Sequence, residues 1–193
     1  MNNAKGVLIE LIQVGVLALV LYLGITFAIQ TVHVEGPSMY PTLDADSQDY
    51  LIALKLPYRF GAPQRGDIII TPDPSDPSTD LIKRIVGVPG DRIASRNGQI
   101  YINEHLMVEP YTNHSEHPDD TWPASGQEVT LKSDEYFLMG DNRNHSRDSR
   151  MFGPVKRSQI LARAWLRVLP LSRFGPVDNQ HSTLTNQAMP AAG

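Results

Sequence analysis

The chain has 193 residues, with 17 basic and 21 acidic side chains, no cysteine and a formal net charge of −4. This acidic balance gives no indication of a nucleic-acid partner, because binding to a phosphate backbone needs a surplus of basic side chains. The absence of cysteine excludes a disulfide framework, a thiolate nucleophile and cysteine-based zinc sites.

An apolar stretch from residue 7 to residue 29 predicts a transmembrane helix. Residues 14–29 carry no charged side chain, and an apolar helix of roughly 20 residues spans a bilayer core of about 30 Å. A cleaved secretory signal is the alternative, but signal cores are shorter and end at a small-x-small site, which is missing here. Lys5 precedes the stretch and the next basic residue is Lys55. This asymmetry favours a cytoplasmic amino end, with the bulk of the chain outside the cytoplasm.

Beyond the anchor, short apolar runs separated by turn residues predict a mainly β domain. The runs lie at residues 49–56, 66–71, 80–86, 93–102, 128–132, 135–139 and 160–169. Within 93–102, Asn97-Gly98 supplies the two positive φ angles of a type I′ turn, so this segment should form a β-hairpin. The 15 prolines argue against long helices in this domain.

Three domains or segments are expected along the chain. Residues 1–32 should form the amino-terminal segment with its transmembrane anchor, and residues 33–170 the β-rich domain. Residues 171–193 lack periodicity and are expected to be a disordered tail. Within the domain, residues 71–79 and 111–127 are expected to be loops, because they are polar and rich in turn-forming side chains.

Two motifs indicate the chemistry. Ser38 lies just after the apolar stretch, in Gly-Pro-Ser-Met-Tyr-Pro-Thr-Leu, and Lys83 lies on a predicted strand. A serine hydroxyl is a weak nucleophile until a base takes its proton. Burial on the strand would lower the pKa of Lys83 from about 10.4 towards about 8 and so make it a base near neutral pH. Taken singly, each residue also fits a role without catalytic chemistry: Ser38 as a turn residue and Lys83 as a surface lysine.

A third motif, Gly-Asp-Asn-Arg-Asn-His-Ser-Arg-Asp-Ser-Arg at residues 140–150, is too dense in polar groups for a simple turn. It does not match a calcium-binding loop, because Arg143 occupies a ligand position and the required glycine is missing. A buried hydrogen-bond network suits it better.

Four ordered blocks together resemble the bacterial type I signal peptidases. They are Ser-Met-x-Pro-Thr-Leu at 38–43, Arg-Gly-Asp-Ile at 65–68, Lys-Arg-x-x-Gly-x-Pro-Gly-Asp at 83–91 and the polar motif at 140–150. The resemblance implies a membrane-bound serine/lysine-dyad endopeptidase that removes signal peptides from exported preproteins. It also implies a catalytic domain of coiled antiparallel β-sheets behind one transmembrane helix, in the plasma membrane and facing the extracytoplasmic side. No metal or cofactor is expected, and the partners are signal peptides and membrane lipid.

The resemblance also assigns roles to individual residues. Ser38 matches the nucleophile, and Lys83 matches the general base that later protonates the leaving amine. Ser146 matches a hydroxyl that orients the lysine, while Asp148 and Arg150 match residues that support the site. The remaining members of the polar motif are expected to hold the strands of the site: Asp141, Asn142 and Arg143.

The substrate is expected to bind as an extended strand between the segment before Ser38 and the segment leading to Lys83. The family prefers small side chains one and three residues before the cut, as in Ala-x-Ala. Four apolar residues are candidates for lining those pockets, although each also fits an ordinary core: Val34, Met39, Leu43 and Ile82. The Ser38 backbone N–H should donate to the oxyanion. Many family members carry Ser or Thr two residues before the nucleophile, where this chain has Gly36, so a second donor is in doubt.

Other interpretations remain open at this point. A metal site could involve His114, His117, Asp119 and Asp120, although a solvated loop fits them better, and His33 could replace Lys83 as the base. A membrane-anchored domain that binds extended peptides without cleaving them is the alternative function. A self-cleaving serine/lysine transcriptional regulator is disfavoured, because its DNA-binding amino-terminal domain is incompatible with the apolar anchor.

Overall fold

The computed structural model describes residues 2–112, 122–123, 127–179 and 182–189. Helix α1, Asn2–Ala28, contains the apolar stretch and is followed directly by the first strand. Its segment Gly6–Ala28 has a mean hydropathy of 2.3, and the most apolar part of that segment has no buried residue. The helix is therefore long and apolar enough to cross a bilayer. Its apolar side chains are exposed, although the guanidinium of Arg59 lies 3.8 Å from the ring centre of Phe27.

The rest of the described chain is mainly antiparallel β-structure, as the sequence predicted. The larger sheet contains β1 (Ile29–His33), β2 (Tyr50–Leu54), β3 (Ile68–Asp73), β4 (Asp76–Gly87), β9 (Glu135–Met139), β10 (Val155–Lys156), β11 (Ala162–Leu169) and β12 (Gly175–Pro176). The smaller sheet contains β5 (Arg92–Arg96), β6 (Gln99–Ile102), β7 (His105–Val108), β8 (Val129–Thr130) and β13 (Thr183–Ala188). Two one-turn helices, α2 (Pro57–Phe60) and α3 (Ser149–Phe152), lie between strands.

The strand order of the larger sheet places the two halves of the site. The order is β1-β2-β11-β3-β4-β9-β10, with β12 paired to β11. Strand β1 is an edge strand, and the first part of β4 pairs only with β3, because β9 begins to pair with β4 at Arg84. Both β1 and the first part of β4 therefore have one unpaired edge.

Local sequence explains the β5–β6 hairpin of the smaller sheet. Its order is β13-β7-β6-β5-β8. Asn97 and Gly98 have φ angles of 51° and 73°, and Ser95 pairs with Ile100 across the turn. The predicted Asn-Gly hairpin is therefore confirmed.

The expected loop at residues 71–79 is wrong, because β3 and β4 form a tight hairpin there. Asp73 closes the turn by accepting a hydrogen bond from the backbone N–H of Ser75 at 2.7 Å. Pro77 is tolerated because the first part of β4 has only β3 as a neighbour, and Pro72 because β11 pairs with β3 only at Ile69 and Ile70. The predicted strand at 128–132 is reduced to Val129–Thr130.

The expected disordered tail is wrong for residues 171–179 and 182–189. Val177 is buried, and Asn179 Oδ1 accepts a hydrogen bond from Ile68 N at 2.8 Å while its Nδ2 donates to Ala164 O at 3.1 Å. Strand β13 then pairs with β7 in the smaller sheet. The tail completes both sheets through partners distant in sequence, which explains why it has no local periodicity of its own. At the other boundary, the sheet begins at Ile29 and not at residue 33.

Candidate active site

Ser38 lies in a single turn of 3₁₀ helix, Pro37–Met39, that follows β1. The polar motif fixes this turn through Asn142. Its backbone N–H donates to Ser38 O at 3.0 Å, and its side-chain amide donates to Pro37 O at 3.2 Å. The side chain of Met39, the last residue of the turn, is buried in the core. These contacts fix the position of the Ser38 hydroxyl.

Lys83 lies on β4 and is 3% exposed. Its Nζ is 2.7 Å from Ser38 Oγ and donates a hydrogen bond to Ile82 O at 3.0 Å. The fold thus brings the two sequence-predicted residues into direct contact, although they are 45 positions apart. The contact is short enough for proton transfer between the hydroxyl and the amine.

Burial lowers the pKa of Lys83 from 10.5 to about 8, because desolvation disfavours the ammonium form. Arg147 lowers it further, whereas the carboxylates of Asp148, Asp141 and Asp73 oppose the shift. A pKa near 8, lowered by burial, is also what the position of Lys83 on an apolar strand predicts. Roughly a quarter of the amine is neutral at pH 7.5 with such a pKa, against about a thousandth for an ordinary lysine.

Asp148 and Arg150 brace the polar motif behind the lysine. Asp148 Oδ2 accepts a hydrogen bond from Gly140 N at 3.0 Å, and the Arg150 guanidinium donates to both carboxylate oxygens of Asp148 at 2.9 Å. Burial would raise the pKa of Asp148, but the hydrogen bonds and charge of Arg150 outweigh it and leave the pKa below its ordinary value. Arg150 also donates to Arg143 O at 2.7 Å.

Ser146 lies beside the dyad without joining it by a hydrogen bond. Its Oγ is buried and forms no hydrogen bond within the described residues. It lies near enough to Asp148 to help lower the pKa of that carboxyl, but the geometry falls short of a hydrogen bond. The expected bond from Ser146 to Lys83 is not seen, so the orienting role of Ser146 stays a prediction.

Gly140 is a residue that the sequence analysis did not single out. A Cβ at this position would lie 2.3 Å from both Ser38 O and Ser146 Oγ, far inside van der Waals contact. Only glycine therefore allows the polar motif to approach the turn that carries Ser38.

Buried ion pairs hold the polar motif to the sheets. Asp141 accepts two hydrogen bonds from Arg84, at 2.8 and 2.7 Å, and one from Thr42 at 2.6 Å. Arg143 forms a bidentate pair with Glu109. The structural roles expected for the motif agree with these contacts. Glu109 gave no signal in the sequence, because its partner lies 34 positions away.

A cleft of about 580 Å³ runs from the dyad along the unpaired edges of β1 and β4. Residues 30–36 form one wall and residues 78–83 the other. Three of the four pocket candidates line it: Val34, Met39 and Ile82. Leu43 is not among the residues that line the cleft; it packs in the core of the larger sheet, so its expected place in this pocket is not seen.

Gly36 has an extended backbone, with φ −130° and ψ 160°, and not the positive φ that would require glycine. A Cβ there would meet no atom within 4 Å. A serine would therefore fit at this position, and the glycine leaves the Ser38 backbone N–H as the expected oxyanion donor.

His33 makes no hydrogen bond to Ser38 within the described part of the chain. The rings of His33 and Tyr50 stack with 4.4 Å between their centroids, and His33 Nδ1 lies 3.8 Å from Glu35 Oε1. With these partners, His33 does not serve Ser38 as a base in this geometry. The residues described contain no cluster of His, Asp or Glu that could hold a metal ion. The histidines and aspartates considered for a metal site lie outside the described residues: His114, His117, Asp119 and Asp120.

Comparison with known proteins identifies relatives along most of the chain. Residues 8–169 match the family described as signal peptidase, peptidase S26. A signal peptidase I from Leptolyngbya laminosa is 37% identical over 181 residues, which cover 90% of this chain and 85% of the relative. A signal peptidase I from Bacillus caldolyticus is 39% identical over 149 residues, covering 73% of this chain and 80% of the relative. A solved signal peptidase I from Enterococcus faecalis V583 is 32% identical with a TM-score of 0.42, covering 52% of this chain and 95% of that one.

Proposed function

The chain belongs to the signal peptidase family, peptidase S26, and is a serine endopeptidase that cleaves signal peptides; from this premise we propose that Ser38 is its nucleophile and Lys83 its general base. The observation that carries the proposal is the 2.7 Å contact between Lys83 Nζ and Ser38 Oγ in a buried setting. The alternative of a peptide-binding domain without activity is not favoured, because the relatives are named as peptidases.

The reaction follows from the acid–base state of the amine. Neutral Lys83 accepts the hydroxyl proton as Ser38 Oγ attacks the scissile carbonyl carbon, and the Ser38 N–H stabilises the oxyanion that forms. The resulting ammonium then gives its proton to the departing amine, which leaves an acyl ester on Ser38. A water molecule, deprotonated by the neutral amine, hydrolyses that ester and restores both side chains.

Three further residues are proposed to keep the dyad in this geometry. Asp148 and Arg150 fix the loop that passes behind Lys83, as their hydrogen bonds to Gly140 and Arg143 support. Ser146 has a buried hydroxyl without a hydrogen bond. We propose that a small rotation lets it accept a hydrogen bond from the lysine during turnover.

The substrate is proposed to add as a strand to the unpaired edges of β1 and β4. Backbone hydrogen bonds along these edges would supply affinity, and side chains on alternate residues would face the walls. The apolar side chains of Val34, Met39 and Ile82 line the cleft near the dyad, which supports a preference for small apolar side chains one and three residues before the cut.

The protein is membrane-anchored through α1. We propose that α1 crosses the plasma membrane once with its amino end in the cytoplasm, since Lys5 precedes the span and the next basic residue is Lys55. The catalytic domain then lies against the extracytoplasmic lipid surface, where signal peptides emerge.

Cleavage of a preprotein tests the proposed function. The full-length enzyme in nonionic detergent is incubated with a preprotein that carries Ala-x-Ala before the mature region, and the masses of the products are measured by mass spectrometry. We expect two fragments with the cut after the second alanine, because the apolar lining beside the dyad is proposed to favour small side chains. A folded enzyme that leaves the preprotein intact, or cuts it elsewhere, would contradict the proposal.

A further inference from the structure

The two walls of the cleft are joined at the end farther from Ser38 by one hydrogen bond. Gln30 Nε2, on β1, donates to Asp80 Oδ2, on β4, at 3.0 Å. Both side chains line the cleft, and Asp80 is exposed. The other carboxylate oxygen of Asp80 makes no hydrogen bond within the described residues. Gln30 therefore holds the carboxylate over the cleft with one acceptor oxygen still available.

The direction in which a signal peptide enters follows from the anchor. Helix α1 ends at Ala28, two residues before Gln30, so this end of the cleft lies nearest the membrane. The apolar core of a signal peptide precedes the cleavage site and resides in the bilayer. A bound peptide must therefore run from the membrane past Gln30 and Asp80 before it reaches Ser38.

The strand geometry fixes which part of the peptide passes Asp80. Asp80 precedes Lys83 by three residues on β4, a distance of about 10 Å along an extended strand. Strand β4 also runs from Asp80 towards Lys83, so the peptide pairs parallel to β4 and advances by nearly the same rise per residue. With the residue before the cut beside Lys83, the fourth residue before the cut lies beside Asp80, and side chains at matching positions of the two strands point to the same face.

The exposed carboxylates on the rim of the cleft favour a basic side chain at that position. The carboxylates on the rim belong to Asp80 and Glu35, and the one lysine, Lys83, is buried at the far end. We propose that Asp80 is a specificity-determining residue that favours a basic side chain, and disfavours an acidic one, at the fourth residue before the cut. This inference rests on the proposed function of the cleft and adds a charge preference to the size preference near the dyad.

Charged peptides test the inference directly. The full-length enzyme in nonionic detergent cleaves peptides with alanine at the first and third positions before the cut and lysine, glutamine or aspartate at the fourth. We expect kcat/KM to be about fivefold or more higher for lysine than for aspartate, since an exposed charge pair contributes a factor of up to about five and attraction and repulsion add. The ratio should fall towards one in about 0.5 M salt and should be smaller when the charge is moved to the third or fifth position.

Variants assign the preference to Asp80. Asp80→Asn should bring the lysine-to-aspartate ratio close to one, and Asp80→Lys should invert it. Asp134→Asn, which removes one exposed carboxylate outside the cleft, is the matched control and should keep the wild-type ratio. A wild-type ratio of one, or a ratio that survives in Asp80→Asn, would overturn the inference.

The glutamine peptide separates this inference from the proposed function. Cleavage of that peptide by the wild-type enzyme and not by Ser38→Ala shows that the site works, whatever the charge ratio. Failure to cleave it, or equal cleavage by Ser38→Ala, would overturn the proposed function and the charge preference together.

Discussion

Replacement of Ser38 by alanine is expected to lower kcat/KM for a signal-peptide substrate by about 10³-fold or more, because no other nucleophile lies at the dyad. The hydroxyl is half-buried, and its side-chain contact is with Lys83, so the fold should survive. The measurement pairs steady-state kinetics with thermal unfolding of the same preparation. Cleavage at more than a few per cent of the wild-type rate would show that Ser38 is not the nucleophile.

Two substitutions of Lys83 separate its chemistry from its packing. Lys83→Met keeps an unbranched apolar stem in the buried site but has no amine, and Lys83→Arg keeps a charge that cannot be given up near neutral pH. Both variants should be as inactive as Ser38→Ala. The methionine variant should remain folded, because it removes a buried amine and not the stem. Activity in Lys83→Arg would assign the base to another group.

Replacement of Gly140 by alanine is expected to have the largest effect outside the dyad, although Gly140 has no chemical role. The added Cβ would lie 2.3 Å from the carbonyl oxygen of Ser38, so the turn that carries the nucleophile must move. A displacement of about 1 Å at a catalytic group lowers the rate about 10²-fold. We expect kcat/KM to fall by at least that factor, with a lower melting temperature.

Gly36→Ala is the matched control for Gly140→Ala. Its added Cβ meets no atom within 4 Å, and its φ is −130°, so the loss in kcat/KM should stay below about tenfold. Equal losses in the two variants would mean that crowding against Ser38 O is not the cause. Wild-type activity in Gly140→Ala would contradict the close packing described for the polar motif.

The sequence predicted the dyad because its two members lie in dense motifs, and because a lysine within an apolar strand implies burial and a lowered pKa. It also predicted the Asn97-Gly98 hairpin, whose turn depends on local backbone preference alone. Leu43 fits a pocket or an ordinary core from the sequence alone, and the structure places it in the core of the larger sheet.

The features that the sequence did not predict depend on contacts between distant segments. Strand β13 forms through pairing with β7, and Asn179 is held by Ile68 and Ala164. The hydrogen bond between Gln30 and Asp80 joins residues 50 positions apart. Such pairings cannot be predicted from periodicity or turn preference, because these report only on residues close together in sequence.

The pH dependence of kcat/KM is the most direct test of the serine/lysine dyad, because it reports the protonation state of the base in the free enzyme. Lys83 must be neutral to accept the proton from Ser38, and burial lowers its pKa to about 8. The rate measured from about pH 5 to about pH 10 should therefore rise tenfold per pH unit and level off above an apparent pKa near 8. A midpoint near 6.5, typical of histidine, or one near 10.4, typical of an exposed lysine, would contradict the assignment of a buried Lys83 as the general base.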